Sequence, residues 1–253
     1  MSSTAGSNPR PSLSGLADEL SGAPPGRIVR RALEVFGEDL VIAFSGAEDV
    51  LLLEYAKQSG LAFRVVALDT GRLHPETYRY YDRIEQHYRL RFEYFFPDAK
   101  ALERLVRNKG LFSFFSDGHH ECCRIRKVEP LHRALGTARA WMTGQRRDQA
   151  PTRSALEVLE VSPTPPGRDG HPLVKFNPLA ECSAQYVWSA IAGFEIPHNE
   201  LHDRGYRSIG CEPCTRPILP YQDEREGRWW WEEADQKECG LHRNPAQNQK
   251  GPR

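Results

Sequence analysis

Apolar residues in the first half of the chain fall at two alternating spacings. Residues 28–36 carry them at helical spacing, whereas the run 40–44 (LVIAF) is too short for a helix and reads as a buried strand. The alternation then repeats. Strand 40–44 leads through Ser45 and Gly46 into a predicted helix over 48–58, with Leu51, Leu52 and Tyr55 at core spacing. Strand 63–68 leads through Asp69, Thr70 and Gly71 into a helix starting near Pro75, a residue suited to a first helical turn. Strand 91–96 precedes a helix over 98–108 that Asp98 is placed to cap. Further strands are predicted at 138–142, 156–161 and 173–176, and a helix at 183–194. Strands separated by helices of roughly 10–15 residues predict an α/β fold with a parallel sheet covered on both faces.

The ends break this pattern. Residues 1–26 are rich in Ser, Gly, Pro and Ala, and are expected to form a disordered arm that buries too little surface to offset its ordering entropy. The Pro- and Gly-rich segment 163–172 reads as a loop, and periodicity is lost after Cys214. The expected organisation is an arm (1–26), a nucleotide-binding domain (27–218) and a C-terminal segment (219–253), without internal repeats.

Composition narrows the function. The 253 residues hold 34 Lys and Arg against 34 Asp and Glu, so no overall field attracts nucleic acid or an anionic membrane. Any anionic ligand must be met by local cations. At 39% hydrophobic residues the chain can bury a sizeable core. It holds no run near the roughly 20 apolar residues of a membrane span and no signal-peptide pattern, so a cytoplasmic protein is expected. Six cysteines are too few for a disulfide scaffold of this length and point to a metal site or to catalysis.

Four signals carry chemistry. The turn FSGAED (44–49) lies between a strand and a helix, where unpaired N–H groups and the helix dipole favour an anion. Its Ser45 and Gly46 allow close approach, and the missing Gly-Lys-Ser/Thr ending excludes a Walker A loop. At the next strand end, LDTGRLH (68–74) offers Asp69 and Thr70 to a ribose or base and Arg72 to a negative charge. Either turn alone also reads as an ordinary capped turn, but both fall on one sheet edge.

The third signal is Cys122-Cys123 together with Cys211-x-x-Cys214. Adjacent side chains diverge by about 100° on a helix, which disfavours one tetrahedral zinc. Four thiolates suit the separate corners of a [4Fe–4S] cluster; zinc and unligated buried thiols remain the alternatives. The fourth is KECGLH (237–242), where Cys239 lies in a polar segment beside Lys237, His242 and Arg243, cations that favour thiolate. Cys182 has no such setting and reads as structural. Arg124, Arg126 and Lys127, then Arg146 and Arg147, then Arg225 and Arg228 form basic runs, each also explicable as a solvated face. Trp229, Trp230 and Trp231 are expected to dock the segment on the core.

The series SGAEDV, LDTGRLHPETY, ECCRIRKVEPL, TGQRRDQ, KFNPLA, IGCEPCTRP, EREGRWWW and KECGLH resembles the assimilatory adenylyl-sulfate reductases, in order from about residue 40 to 242. Related 3′-phosphoadenylyl-sulfate reductases typically lack the four cluster cysteines, so the resemblance implies adenosine 5′-phosphosulfate as substrate, with a 3′-phosphorylated or dual preference as the alternative. It also implies an adenine-nucleotide α-hydrolase-like, Rossmann-like parallel sheet flanked by helices, with a mobile C-terminal tail. The loop departs from the SGGKDS pattern of ATP pyrophosphatases at Ala47, Glu48 and Val50. Losing the lysine fits a chemistry that expels no pyrophosphate.

The resemblance further implies a mechanism. Cys239 attacks the sulfur, AMP leaves, and a dithiol protein, expected to be thioredoxin, releases sulfite from the Cys239 S-sulfonate. Lys127, Arg225 and Arg228 are expected nearest the phosphosulfate, with Arg146 and Arg72 behind them. Ser45, Gly46, Asp49, Asp69, Thr70 and Gly71 seat the nucleotide. His242 assists thiolate formation or closes the tail. Cys122, Cys123, Cys211 and Cys214 bind a [4Fe–4S] cluster with an electrostatic and structural role. A homo-oligomer is possible within such a family. A sulfur-transfer enzyme on the same fold and an iron–sulfur sensor are the rival readings.

Overall fold

The computed structural model describes residues 12–162 and 166–233. In chain order the elements are α1 (Leu13–Leu20), α2 (Pro25–Phe36), β1 (Leu40–Phe44), α3 (Ala47–Ser59), β2 (Arg64–Leu68), α4 (Pro75–Tyr88), β3 (Glu93–Phe95), α5 (Ala99–Lys109), α6 (His120–Cys123), a π-helical turn (Arg124–Val128), α7 (Glu129–Leu135), β4 (Ala140–Met142), β5 (Leu159–Ser162), β6 (Leu173–Phe176) and α8 (Ala184–Gly193). Among the described residues, no helix is long and apolar enough to cross a membrane.

The strands form one sheet in the order β3-β2-β1-β4-β6-β5. β1 pairs in parallel with β2 on one side (Val41 opposite Arg64) and with β4 on the other (Leu40 opposite Ala140). The chain therefore leaves β1 in one direction and later returns to its opposite side. This reversal makes a switch point, and in open α/β sheets the ligand crevice opens beyond the carboxyl ends of the strands there.

Strand residues alternate between two cores. Val41, Val66, Trp141 and Leu173 pack with Leu131, Ala134 and Leu135 of α7. Ile42, Phe44, Val65, Ala67, Met142 and Phe176 face the larger core formed with α2, α3, α4 and α8. A strand buried on both faces reads as a continuous apolar run, which is why 40–44 was legible as one.

Two expectations are corrected. The arm predicted over 1–26 is helical at Leu13–Leu20, where Ser12 Oγ accepts the Gly15 N–H at 3.2 Å and Leu16 and Leu20 are fully buried in the larger core. Average composition concealed two leucines one helical turn apart, each contributing roughly 1.5–3 kcal/mol on burial. The sheet is mixed rather than wholly parallel: β5 runs antiparallel to β6, with Leu159 opposite Phe176. Among the described residues 166–172 there is only a short turn at Arg168–Gly170, and an antiparallel pair needs no crossover helix. The docking expected of the tryptophans is present for Trp229. Residues 219–233 lie on the main body, with Thr215 bridged to Arg228 and Trp229 only 1% exposed.

Candidate functional site

A cavity of about 220 Å³ opens at the carboxyl ends of β1, β2 and β4. Ser45, Gly46, Asp49 and Thr70 line it from the sheet edge, and Lys127, Arg225, Arg228 and Trp229 from the far side.

Asp49 builds the first turn. Its Oδ2 accepts the Ser45 N–H and hydroxyl, both at 2.8 Å, and the Gly46 N–H at 3.1 Å; its Oδ1 accepts the Gly144 N–H at 2.9 Å. The carboxylate thus ties the turn after β1 to the loop after β4. Burial pushes its pKa up to about 6, against the Ser45 and Gly144 hydrogen bonds, which act downward. Gly144 is required by that contact: a Cβ there would lie 2.4 Å from Glu48 Cβ and 2.8 Å from its carbonyl carbon.

The second turn does different work from that expected of it. Asp69 Oδ1 accepts the Gly71 N–H at 2.7 Å and the Tyr78 hydroxyl at 2.8 Å, closing a local turn, and Asp69 does not line the cavity. Gly71 has φ of 68°, and a Cβ there would meet Arg126 Nη1 at 3.4 Å. The Thr70 hydroxyl lies 3.3 Å from Cys211 Sγ and accepts the Arg72 N–H at 3.2 Å, so Thr70 joins the cavity to the cysteines behind it.

Of the expected cations, three gather on one indole. Arg228, Lys127 and Arg225 lie 4.5, 5.8 and 5.8 Å from the Trp229 ring, while His119 stacks on it at 4.2 Å. Trp229 is held at φ of 40°, a strained position for a bulky residue that costs roughly 1–3 kcal/mol and persists only where the surroundings enforce it. Arg72 and Arg146 are placed otherwise. The Arg72 guanidinium lies 5.2 Å from both the Phe112 and Phe114 rings and faces the cysteines. Arg146 is 1% exposed and locked by carboxylates: its Nη2 reaches Glu48 at 2.9 Å and Glu224 at 2.7 Å, and Nη1 contacts Asp148. Sequence shows a cation but not its partners, and here the partners are acidic side chains.

Behind the cavity, Cys122, Cys123, Cys211 and Cys214 line one small cavity with Arg72, His119, Arg126 and Lys127. Lys127 lines both cavities. The π-helical turn after Cys123 is the local device, since a widened turn re-phases Arg126 and Lys127 relative to the cysteines. Burial and then the neighbouring Cys211 push the Cys214 thiol up to about 12. Among the described residues, no group of three or more His, Cys, Asp or Glu side chains could hold a single metal ion. Cys182 packs at the margin of the larger core, apart from both cavities. Cys239 and His242 lie outside the described residues.

The sequence reading missed Glu48, Gln145, Arg153, His202, Arg207 and Glu224 as cavity-lining residues. Glu48 was visible beside the first turn; no spacing marks His202. Several buried polar atoms without a hydrogen-bond partner among the described residues belong to lining side chains: Trp141 Nε1, Gln145 Oε1, His202 Nε2, Arg228 Nε and Trp229 Nε1. Such atoms each cost about 1–3 kcal/mol unless a polar ligand meets them.

The family model of the phosphoadenosine phosphosulfate reductase domain matches residues 39–217. The chain belongs to this family. Among relatives of this reductase-family chain, a probable 5′-adenylylsulfate reductase 1, chloroplastic, of Oryza sativa subsp. japonica is 59% identical over 239 residues, 93% of this chain and 50% of that protein. The chain spans about half the length of the plant relatives it matches. An adenosine 5′-phosphosulfate reductase of Pseudomonas aeruginosa (strain LESB58) is 56% identical over 234 residues, 91% of this chain and 86% of that one. The crystal structure of a phosphoadenylyl-sulfate reductase from Candida auris, a phosphate complex, superposes with a TM-score of 0.67 at 25% identity, covering 84% of this chain and all of that one. The fold is shared more widely: a Candida glabrata FMN adenylyltransferase reaches a TM-score of 0.52 at 13% identity, covering 84% of this chain and 68% of that one.

Proposed function

We propose that this member of the reductase family reduces adenosine 5′-phosphosulfate to sulfite and AMP, as a step of sulfate assimilation towards cysteine in the cytoplasm. The observation that carries the reading is the cluster of Lys127, Arg225 and Arg228 on Trp229, at one side of a cavity whose other side is the Asp49-capped turn. Three cations beside a switch-point crevice suit a nucleotide with one strongly anionic end. The adenylylsulfate reductase names of relatives at 56–59% identity support the same substrate.

In the proposed reaction the Cys239 thiolate attacks the sulfonate sulfur, the sulfur–oxygen bond breaks, and its electron pair leaves with AMP. A dithiol protein of the thioredoxin class then attacks Cys239 Sγ, expelling sulfite and leaving a mixed disulfide. Its second thiol resolves this to free Cys239 and an oxidised disulfide, supplying the two electrons that reduce the sulfur. Lys127, Arg225 and Arg228 hold the phosphosulfate oxygens and offset the repulsion between thiolate and sulfonate. His242 assists the thiolate or closes the tail. Glu48, standing where pyrophosphatases carry lysine, is engaged with Arg146 and leaves the turn without the cation that ATP cleavage uses.

The four cysteines fit a [4Fe–4S] cluster. The four line one small cavity, and donors without a hydrogen-bond partner among the described residues, Arg72 Nη1 and Arg126 Nε, lie on residues of the same wall, suited to an anionic group. Bound there, the cluster supplies a fixed electrostatic and structural element rather than net electron transfer.

The deciding experiment incubates the protein with adenosine 5′-phosphosulfate labelled at sulfur, without reductant. Protein-bound label is expected, released as sulfite by reduced thioredoxin; label persisting in Cys239→Ser would remove this nucleophile. Anaerobically purified protein should contain iron and acid-labile sulfide near parity, and Cys211→Ser should lose both. A colourless zinc protein would overturn the cluster.

A further inference from the structure

His202 lies between α8 and the cysteine-bearing segment and lines the nucleotide cavity. Its Nδ1 is 2.7 Å from the Tyr206 carbonyl oxygen. A carbonyl only accepts, so Nδ1 carries the hydrogen and Nε2 of the neutral ring is a bare acceptor. Among the described residues that Nε2 is buried with no hydrogen-bond partner. The ring is fixed edge-to-face against Trp188 at 4.8 Å. Burial moves the imidazole below its ordinary range, and the Glu48 carboxylate only partly opposes this, so the ring is neutral near pH 7.

The surroundings of His202 contrast with the cationic side of the cavity. Glu48 and Glu224 also line it, and both contact Arg146 together with Asp148, so three carboxylates surround one guanidinium. A group seated here meets an acceptor lone pair with the Glu48 carboxylate near enough to act on the ring, in a lining that also holds Arg153 and Arg207. It must donate a hydrogen bond.

We propose that His202 Nε2 accepts a hydrogen bond from a ribose hydroxyl of the bound adenylate, and that with Glu48 and Glu224 it rejects a substrate bearing a phosphate ester at that position. The proposal rests on the adenylate reading above and extends it to selection between a free and a 3′-phosphorylated ribose. A phosphate ester there has lost the donor and adds negative charge beside two carboxylates, so it is penalised twice.

The test measures binding of AMP, 2′-deoxy-AMP, 3′-deoxy-AMP and adenosine 3′,5′-bisphosphate to the full chain by calorimetry. Wild type is expected to bind AMP about tenfold more tightly than one of the two deoxynucleotides, and more tightly than the bisphosphate by at least about that factor. His202→Phe, which keeps the ring but removes the acceptor, should weaken AMP about tenfold while leaving that deoxynucleotide within about twofold. Glu48→Gln should narrow the gap between AMP and the bisphosphate. Equal binding of AMP and both deoxynucleotides by wild type overturns the proposal without any variant. So does a His202→Phe protein that weakens all four ligands alike. Wild type that binds none of the four overturns the adenylate reading itself, a distinct result that removes this inference with it.

Discussion

At the scale of single residues, the site is shaped by buried charges whose partners lie far away in sequence. Asp49 holds four donors yet remains hard to ionise, because desolvation outweighs its hydrogen bonds. Its folded-state pKa of about 6 lies above the ordinary aspartate value of 3.8, so the folded state binds more protons between these values. Its contribution to stability is therefore greatest below the unfolded value and falls as pH rises through about 6. The difference in unfolding free energy between wild type and Asp49→Asn should accordingly shrink from pH 4 towards pH 6 and then level off in urea titrations. Arg146 presents the opposite case, a buried cation satisfied by Glu48 and Glu224. Arg146→Ala leaves both carboxylates uncompensated and should cost about 3–5 kcal/mol, read as a lowered denaturation midpoint.

Among the elements, those whose signal is local were legible and those set by tertiary contact were not. The strand at 40–44 and the helices after the first two turns follow from apolar spacing. The antiparallel β5, the buried α1 and the π-helical turn at Arg124–Val128 depend on what lies across from them. The site divides in the same way. Ser45, Gly46, Asp49 and the cysteines stand in recognisable local patterns, whereas Arg72 and Arg146 carried the right charge but face aromatic rings and carboxylates. His202 enters the cavity on a loop that no periodicity marks. The contact between the loop after β4 and the N-terminus of α3 is the sharpest local constraint. Gly144→Ala forces a Cβ into the Glu48 backbone, and should cost roughly 1–3 kcal/mol of stability while weakening AMP binding in calorimetry.

For the whole molecule, the larger core extends to the N-terminal helix. Leu16 is fully buried there, so Leu16→Ala should lower stability by about 2–5 kcal/mol without altering the relative affinities for AMP and its deoxy analogues. The cavity is likewise a property of the whole chain, with the Ser45 turn early in it and Arg225 and Arg228 near the end of the described residues. Such a distant pairing raises contact order, and its loop-closure entropy must be met before the contacts reward it. A nascent or nicked chain lacking residues 219–233 would lack the wall bearing those cations. Free nucleotide would then stabilise only the finished molecule, and protection by AMP against proteolysis would measure the fraction of chains that have completed their fold.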